Sequence, residues 1–328
     1  MMKIKCTLCL FLILNLFSIR AIADYDTIPY DYEKVTEGLQ KLIEIYPEDI
    51  MVTSIGQSHF GRELWAAKIG KGKESVLLIG SHHGREWLTS NILMKLLEEY
   101  TKAYARNQKY GKYDSSILDE VSLIIIPMIN PDGVAIQQGK FKEMDYWQRF
   151  NIWKMNDFSF DFKRWKANGV GIDLNRQYPA GWEKLDKEMK APYYQFYRGT
   201  HPAEAEEVKA MIRFTKQVKP LIAVAYHTSG REIYWYYQNN SSNMARDYHI
   251  AKKTADLTGY MLDFPDQNAV GGGFTDWFIS AFKRPAMTLE LSYLVEERNP
   301  PLSVFQEEWN RNRFVPFMLL EETKHHRF

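Results

Sequence analysis

Four short apolar runs constrain this chain more than any other feature: residues 76–79, 123–126, 221–225 and 286–289. Each is too short to be a buried helix, and none has the polar alternation of a strand with one wet face. Each therefore reads as a strand covered on both sides. Helical stretches are expected over residues 33–46 (ended by Pro47), 89–104, 204–216, 244–258 and 303–320. Leu88, Ile92 and Leu96 share one face of the second. Residues 52–69 suggest a hairpin turning at His59-Phe60-Gly61. Strands separated by helices in this way predict an α/β fold: a mixed, mostly parallel, twisted sheet with helices on both faces, in one domain.

The N-terminus stands apart. Lys3 and Lys5 precede an apolar run over residues 6–19, and Ala21 and Ala23 are the small residues a signal peptidase reads. Residues 1–23 are thus expected to be a signal peptide cleaved before Asp24, leaving the domain at 24–328. The run is short for a bilayer span and is interrupted by Asn15. Arg20, between the run and the cleavage site, leaves an uncleaved anchor as the alternative. Cleavage would remove three of the 42 basic residues, leaving 39 against 41 acidic ones, a net of −2. It would also remove both cysteines, Cys6 and Cys9. The expected mature chain is secreted or in the cell wall, has no stable membrane span, and is held by packing rather than disulfides. Without a basic excess, nucleic acid is not an expected partner. An aromatic content of 14% with only 13 Pro excludes a disordered chain. No protein partner is identifiable.

In parallel sheets, ligands gather at the carboxyl ends of the strands. Ser81-His82-His83-Gly84-Arg85-Glu86 follows the first run, Tyr226-His227-Thr228-Ser229 the third, and Glu290 the fourth. Two imidazoles and a carboxylate on neighbouring strand ends make a credible His₂Glu set for one Zn²⁺ with a position open for water. A further carboxylate nearby could serve as the base. The His-x-x-Glu spacing recurs at His201/Glu204, where it opens a polar segment, and His201 is read there as a surface or capping residue. One residue of displacement along an extended chain points the His82 ring away from that of His83. His59, His249, His325 and His326 have no ligand-like neighbours.

Five ordered motifs carry a more specific resemblance. They are His83-Gly84-Arg85-Glu86-Trp87 with Tyr226-His227, Asn130-Pro131-Asp132-Gly133, Gly171-Ile172-Asp173-Leu174-Asn175-Arg176, Gly272-Gly273-Phe274-Thr275-Asp276-Trp277, and Thr288-Leu289-Glu290-Leu291. Together they resemble the M14 zinc metallocarboxypeptidases along essentially the whole mature chain. The resemblance implies a carboxypeptidase-like single catalytic domain, with zinc on His83, Glu86 and His227 and Glu290 as the catalytic base. Asn175 and Arg176 would grip a substrate carboxylate, for which the planar fork of arginine is suited. Arg85, inside the first motif, joins the substrate-binding candidates.

Two positions depart from the carboxypeptidase A pattern. Where that pattern has an arginine after a tryptophan to polarise the scissile carbonyl, this chain has Lys166, with Arg164 as the alternative. The tyrosine that caps the substrate pocket falls on Asn268. Residues 165–168 and 297–303 are similar to the bacterial γ-D-glutamyl-L-diamino acid endopeptidase branch. That similarity implies cleavage of peptidoglycan stem peptides between γ-D-glutamate and meso-diaminopimelate. Thr275 lies at a position that tunes specificity, and Asp276 is a candidate for an ammonium group, with a purely structural role as its alternative. No LysM-like wall-binding repeat precedes the domain, so wall attachment is expected from the catalytic domain or a partner. The competing expectations are a secreted carboxypeptidase acting on ordinary peptides and a non-catalytic wall-binding protein. An intact base argues against the last.

Overall fold

The computed structural model describes residues 25–141, 144–185, 189–264 and 271–325. The expected leader with Cys6, Cys9 and its cleavage site, Asn268 and His326 lie outside the described residues. In chain order the strands are β1 (Ile50–Gln57), β2 (Glu63–Ile69), β3 (Glu74–Ile79), β4 (Lys109–Tyr110), β5 (Tyr113–Asp114), β6 (Val121–Ile126), β7 (Ile222–Thr228), β8 (Glu232–Tyr234), β9 (Met261–Leu262) and β10 (Ala286–Leu291). Eight form one sheet in the order β1-β2-β6-β3-β7-β10-β8-β9, and β4 and β5 pair separately. The centre, β6-β3-β7-β10, is parallel. The β1–β2 hairpin joins antiparallel at one side and β8 antiparallel at the other. The mostly parallel mixed sheet is therefore what the apolar runs predicted.

Alternate residues of the central strands feed two cores. Val76, Leu78, Ile222, Val224 and Leu289 pack to one side with helices α1 (Tyr32–Ile45), α2 (Leu88–Ala105) and α9 (Val315–His325). Leu77, Ile79, Ala223, Ala225 and Ala286 pack to the other with α5 (Glu206–Val218) and α7 (Phe274–Phe282). The remaining helices are α3 (Pro131–Gln137), α4 (Tyr146–Met155), α6 (Ser241–Thr258) and α8 (Phe305–Asn312). Each large side chain so buried contributes about 1.5–3 kcal/mol by leaving water.

Several boundaries differ from expectation, for identifiable reasons. The apolar runs mark only the buried middles of strands: β7 extends through His227, and β10 through Glu290, because ladder pairing continues past the apolar residues. The helix expected over residues 303–320 is two helices, α8 and α9. Pro316 explains the break, since it has no N–H for the carbonyl four residues back and its ring would strike that carbonyl. Helix α4 was not foreseen because Tyr146, Trp147 and Phe150 point into water and only Ile152 is fully buried, so its pattern does not mark a core-facing stripe.

Candidate metal centre

The first pair of candidate ligands depends on a single turn. His83 ends the extended segment after β3, and residues Gly84–Glu86 form one turn of 3₁₀ helix. In that geometry side chains three apart eclipse each other, which explains the spacing: His83 Nδ1 lies 2.7 Å from Glu86 Oε1. Gly84 is required by crowding. A Cβ there would lie 2.4 Å from the carbonyl oxygen of Gly133. Its N–H donates to the Lys166 carbonyl at 2.9 Å, tying the segment that carries Lys166 to the ligand turn.

The third ligand arrives on β7. His227 Nδ1 lies 2.8 Å from Glu86 Oε2 and 3.2 Å from His83 Nδ1. The ligand atoms of His83, Glu86 and His227 all fall within 4.8 Å of one another, and all three residues are buried. Two imidazole nitrogens and a carboxylate converging in a buried space suit a divalent cation, because each presents a lone pair to the same point. Burial would raise the Glu86 carboxyl, but His83 and His227 outweigh it and hold it below the usual carboxylate range. The His83 imidazole is pushed down by burial, whereas for His227 the Glu86 carboxylate overcomes burial and raises it.

Glu290 stands directly across the ladder from His227 on β10, on the same face of the sheet. Burial, with Glu86 adding to it against the pull of His227, pushes its carboxyl up to about 7. Glu232 is the next residue in the same row, paired to Glu290 from β8.

Asp173 is the residue that reading the sequence did not single out. It is fully buried, with Oδ1 3.2 Å from His83 Nε2 and Oδ2 3.4 Å from Lys166 Nζ. It also caps the short helix Leu174–Arg176 by accepting from the Asn175 N–H at 3.1 Å. Burial would raise its carboxyl, but Lys166 and His83 hold it well below the usual range. The signal was its place inside the Gly171–Arg176 motif, but its two partners are distant in sequence.

Lys166 and Arg164, the two candidates for meeting the scissile carbonyl, are placed differently. The Lys166 ammonium is buried beside Asp173 and 4.6 Å over the Phe196 ring. Burial lowers its pKa, Asp173 opposing and Arg176 reinforcing. Arg164 is turned away, bonding Asn156 Oδ1 and Asp157 Oδ2 and stacking 3.9 Å over Tyr194.

Asn175 Oδ1 accepts from the Phe274 N–H at 3.0 Å, fixing the start of α7. Arg176 is half-buried and donates to the Asn175 carbonyl. Thr275 Oγ1 lies 2.8 Å from Thr288 Oγ1. Asp276 accepts from the Gly273 N–H at 3.1 Å, a helix-capping role, and burial pushes its carboxyl to about 6. That bond favours the structural alternative over an ammonium contact. Arg85 donates to the Arg164 carbonyl and to Gln195 Oε1, both at 3.1 Å. Gln195 in turn donates to Glu297, and Asn299 accepts from the Leu88 N–H, so the 297–303 segment borders the ligand turn.

Among the other described histidines, His249 does have a carboxylate neighbour, Glu322 at 3.4 Å, far from the ligand turn in sequence. His82 turns its Nε2 to the Tyr178 hydroxyl at 3.2 Å and stacks on His227 with ring centroids 5.3 Å apart, outside the ligand trio. His201 is exposed, with Nδ1 near its neighbour's carbonyl.

Comparison with known proteins agrees with this geometry. Residues 35–314 match the zinc carboxypeptidase family, peptidase M14. A γ-D-glutamyl-L-diamino acid endopeptidase of Lysinibacillus sphaericus is 32% identical over 285 residues, covering 84% of this chain and 68% of its own. An uncharacterized protein of Bacillus subtilis is 31% identical over 288 residues, 86% of this chain and 74% of its own. Among solved structures, bovine thrombin-activatable fibrinolysis inhibitor matches with a TM-score of 0.71 at 18% identity, covering 92% of this chain and all of that one. Carboxypeptidase A of Helicoverpa armigera gives 0.68 at 18%, covering 92% and 75%. At that identity the structures speak for the fold alone.

Proposed function

The chain belongs to the M14 zinc carboxypeptidase family, and from that premise we propose that it is an exported peptidase, one zinc per chain, hydrolysing the γ-D-glutamyl–meso-diaminopimelate bond of peptidoglycan stem peptides. The observation that supports this substrate is the match along most of the chain to a relative named for γ-D-glutamyl-diamino acid bonds. The leader-like N-terminus supports export to the wall.

Zinc, held by His83, Glu86 and His227, would supply a Lewis acid that lowers the pKa of water and polarises the scissile carbonyl. Glu290 takes the proton of the attacking water on its carboxylate and returns it to the leaving amine nitrogen. A carboxyl near 7 is poised for both halves of that transfer, and a dication beside it favours the ionised form. The Lys166 ammonium, a buried cation beside the ligand turn, offsets charge developing on the carbonyl oxygen. Arg176, with Asn175, takes the free carboxylate of the diamino acid.

The second reading, removal of C-terminal residues from ordinary peptides, is favoured by the Asn175–Arg176 pair, which would serve any terminal carboxylate equally. Digestion of L-Ala-γ-D-Glu-meso-diaminopimelate beside a hippuryl-type carboxypeptidase substrate separates the two. The expected outcome is release of diaminopimelate from the first at a much higher kcat/KM, lost on chelation and restored by one equivalent of zinc. Preference for the hippuryl substrate would transfer the assignment to the second reading.

A further inference from the structure

We infer that the chain has a second binding site, for the neutral sugar chain of a glycan, built on helix α4 beside the proposed catalytic site. The inference rests on the wall-peptide reading for the identity of that glycan. A cavity of about 450 Å³ lies between α4 and the turn of the β1–β2 hairpin, lined by His59, Phe60, Gln148, Asn151, Lys154 and Met155 among others. That volume is in the range of small-molecule sites. Gly169 and Val170 also line it, so part of its wall is the loop running from Lys166 to Asp173. The cavity opens at the catalytic end of the sheet. β1 is antiparallel to β2 and β2 to β6, so the turn after β1 lies at the same carboxyl ends that carry His83.

An aromatic ridge runs beside the cavity. Tyr146 is 71% exposed, Trp147 68% and Phe160 81%, with Phe150 and Phe158 also exposed. Their rings form a continuous series: Tyr146–Trp147 at 5.3 Å, Trp147–Phe150 at 6.3 Å, Phe150–Trp153 at 6.3 Å, then Trp153 to Phe158 at 4.9 Å and to Phe160 at 5.3 Å. On the helix, Trp147, Asn151 and Lys154 follow one line at i, i+4, i+7, so ridge and cavity share a border.

This display is held, not loose. Asp157 and Phe158 both adopt positive φ, +54° and +57°, which is unfavourable for a bulky residue such as Phe158. Asn156 donates to the Ser159 and Asp161 carbonyls, and Arg164 and the Tyr193 hydroxyl both donate to Asp157 Oδ2. The fold thus spends two left-handed residues and a hydrogen-bond network on keeping Phe158 and Phe160 in water. Strain maintained in this way points to use.

Charge selects the occupant. Along the ridge Arg149, Lys154, Lys163 and Arg164 face Asp145, Asp157 and Asp161, a net of only +1 from four cations and three anions, so the surface has little charge to draw an anionic membrane. Asn151 offers an amide donor and acceptor, and Gln148, whose Oε1 accepts from the Asp145 N–H at 2.9 Å, an amide donor, groups that a hydrocarbon surface would leave unmet. Aromatic faces with interspersed amides fit a polymer that has apolar C–H faces and neutral hydroxyl and acetamido groups. That is the chemistry of the amino-sugar strand from which stem peptides hang.

The test uses the full chain and two probes: peptide-free glycan strands with their lactyl carboxylates capped as amides, and so neutral like the peptide-bearing strand, for binding, and L-Ala-γ-D-Glu-meso-diaminopimelate with or without its disaccharide, for kinetics. The native protein should retain the strands and cleave the disaccharide-bearing stem with about tenfold higher kcat/KM. Trp147→Ala combined with Asn151→Ala should abolish retention and bring the two substrates to parity, leaving free-peptide cleavage and melting temperature unchanged. Phe160→Ser, outside any helix, should weaken retention by itself and serves if the double variant does not fold. No retention by the native protein, or retention untouched by these variants, overturns the site. So does loss, in the variants, of binding to phosphatidylglycerol–phosphatidylethanolamine vesicles or of a dimer, where glycan is not bound. Strands retained by a protein that cleaves no stem peptide would remove the proposed reaction and leave this site standing.

Discussion

Asp173 meets two different groups, the Nε2 of the His83 imidazole and the Lys166 ammonium. Holding the far nitrogen of a ligating histidine fixes its tautomer and orientation. Asp173→Asn keeps the shape but removes the charge, and should weaken zinc affinity by about 10- to 100-fold. Competitive titration with a chelator measures it, and unchanged affinity would free His83 from dependence on Asp173. Glu290→Gln separates the base from the ligands: zinc content should stay at one per chain while kcat drops by roughly 10²- to 10⁴-fold. Comparable turnover in that variant would remove Glu290 from proton transfer. The convergence of His83, Glu86 and His227, with Glu290 across the ladder, was legible in the sequence because each follows an apolar run, and motif order did the rest. Asp173 and Glu232 were not, because what matters for them is which strand or loop lies alongside, and register across a sheet is not written locally.

At the scale of elements, Asn130 shows how a loop is made as firm as the sheet it leaves. Its Oδ1 accepts from the Gly133 N–H at the start of α3, while its amide donates to the carbonyls of His82 and Ala167, all in a fully buried position. Three segments around the ligand turn are thus held by one side chain. Asn130→Ala removes a helix cap and strands two buried carbonyls, and should cost about 2–4 kcal/mol in urea unfolding. A loss below about 1 kcal/mol would mean that water or a neighbour replaces the amide. Elements with an apolar stripe or a fully apolar run could be read in advance, hence β3, β6, β7, β10 and α1, α2. The two-residue β9 and the outward-facing α4 could not, since neither leaves a burial period in the sequence.

Across the whole molecule, Glu207 couples stability to pH. This α5 residue is fully buried, accepting from the Asn168 amide at 3.2 Å and from the His59 N–H at 3.3 Å, and so joins the α5 side of the sheet to the hairpin turn and the 166–173 loop. Burial, with the charge of Asp132 adding to it, pushes its carboxyl up to about 7. Asp132 itself is engaged by Arg62, Ser58 and the Phe60 N–H. Below the ordinary glutamate range both folded and unfolded chains hold the proton and Glu207 has no effect on the balance. Between there and pH 7 the unfolded chain releases the proton first, so folding stability falls as pH rises; above 7 both forms are ionised and the loss is complete. The full span amounts to about 3 kcal/mol. Glu207→Gln keeps one acceptor and cannot ionise, so the variant should gain on the native protein by about 2 kcal/mol between pH 5 and pH 8. Urea unfolding of both proteins at the two pH values reads the difference directly. Stability curves that stay parallel would show that Glu207 is ionised in the folded chain throughout, its charge met by Asn168, His59 and bound water.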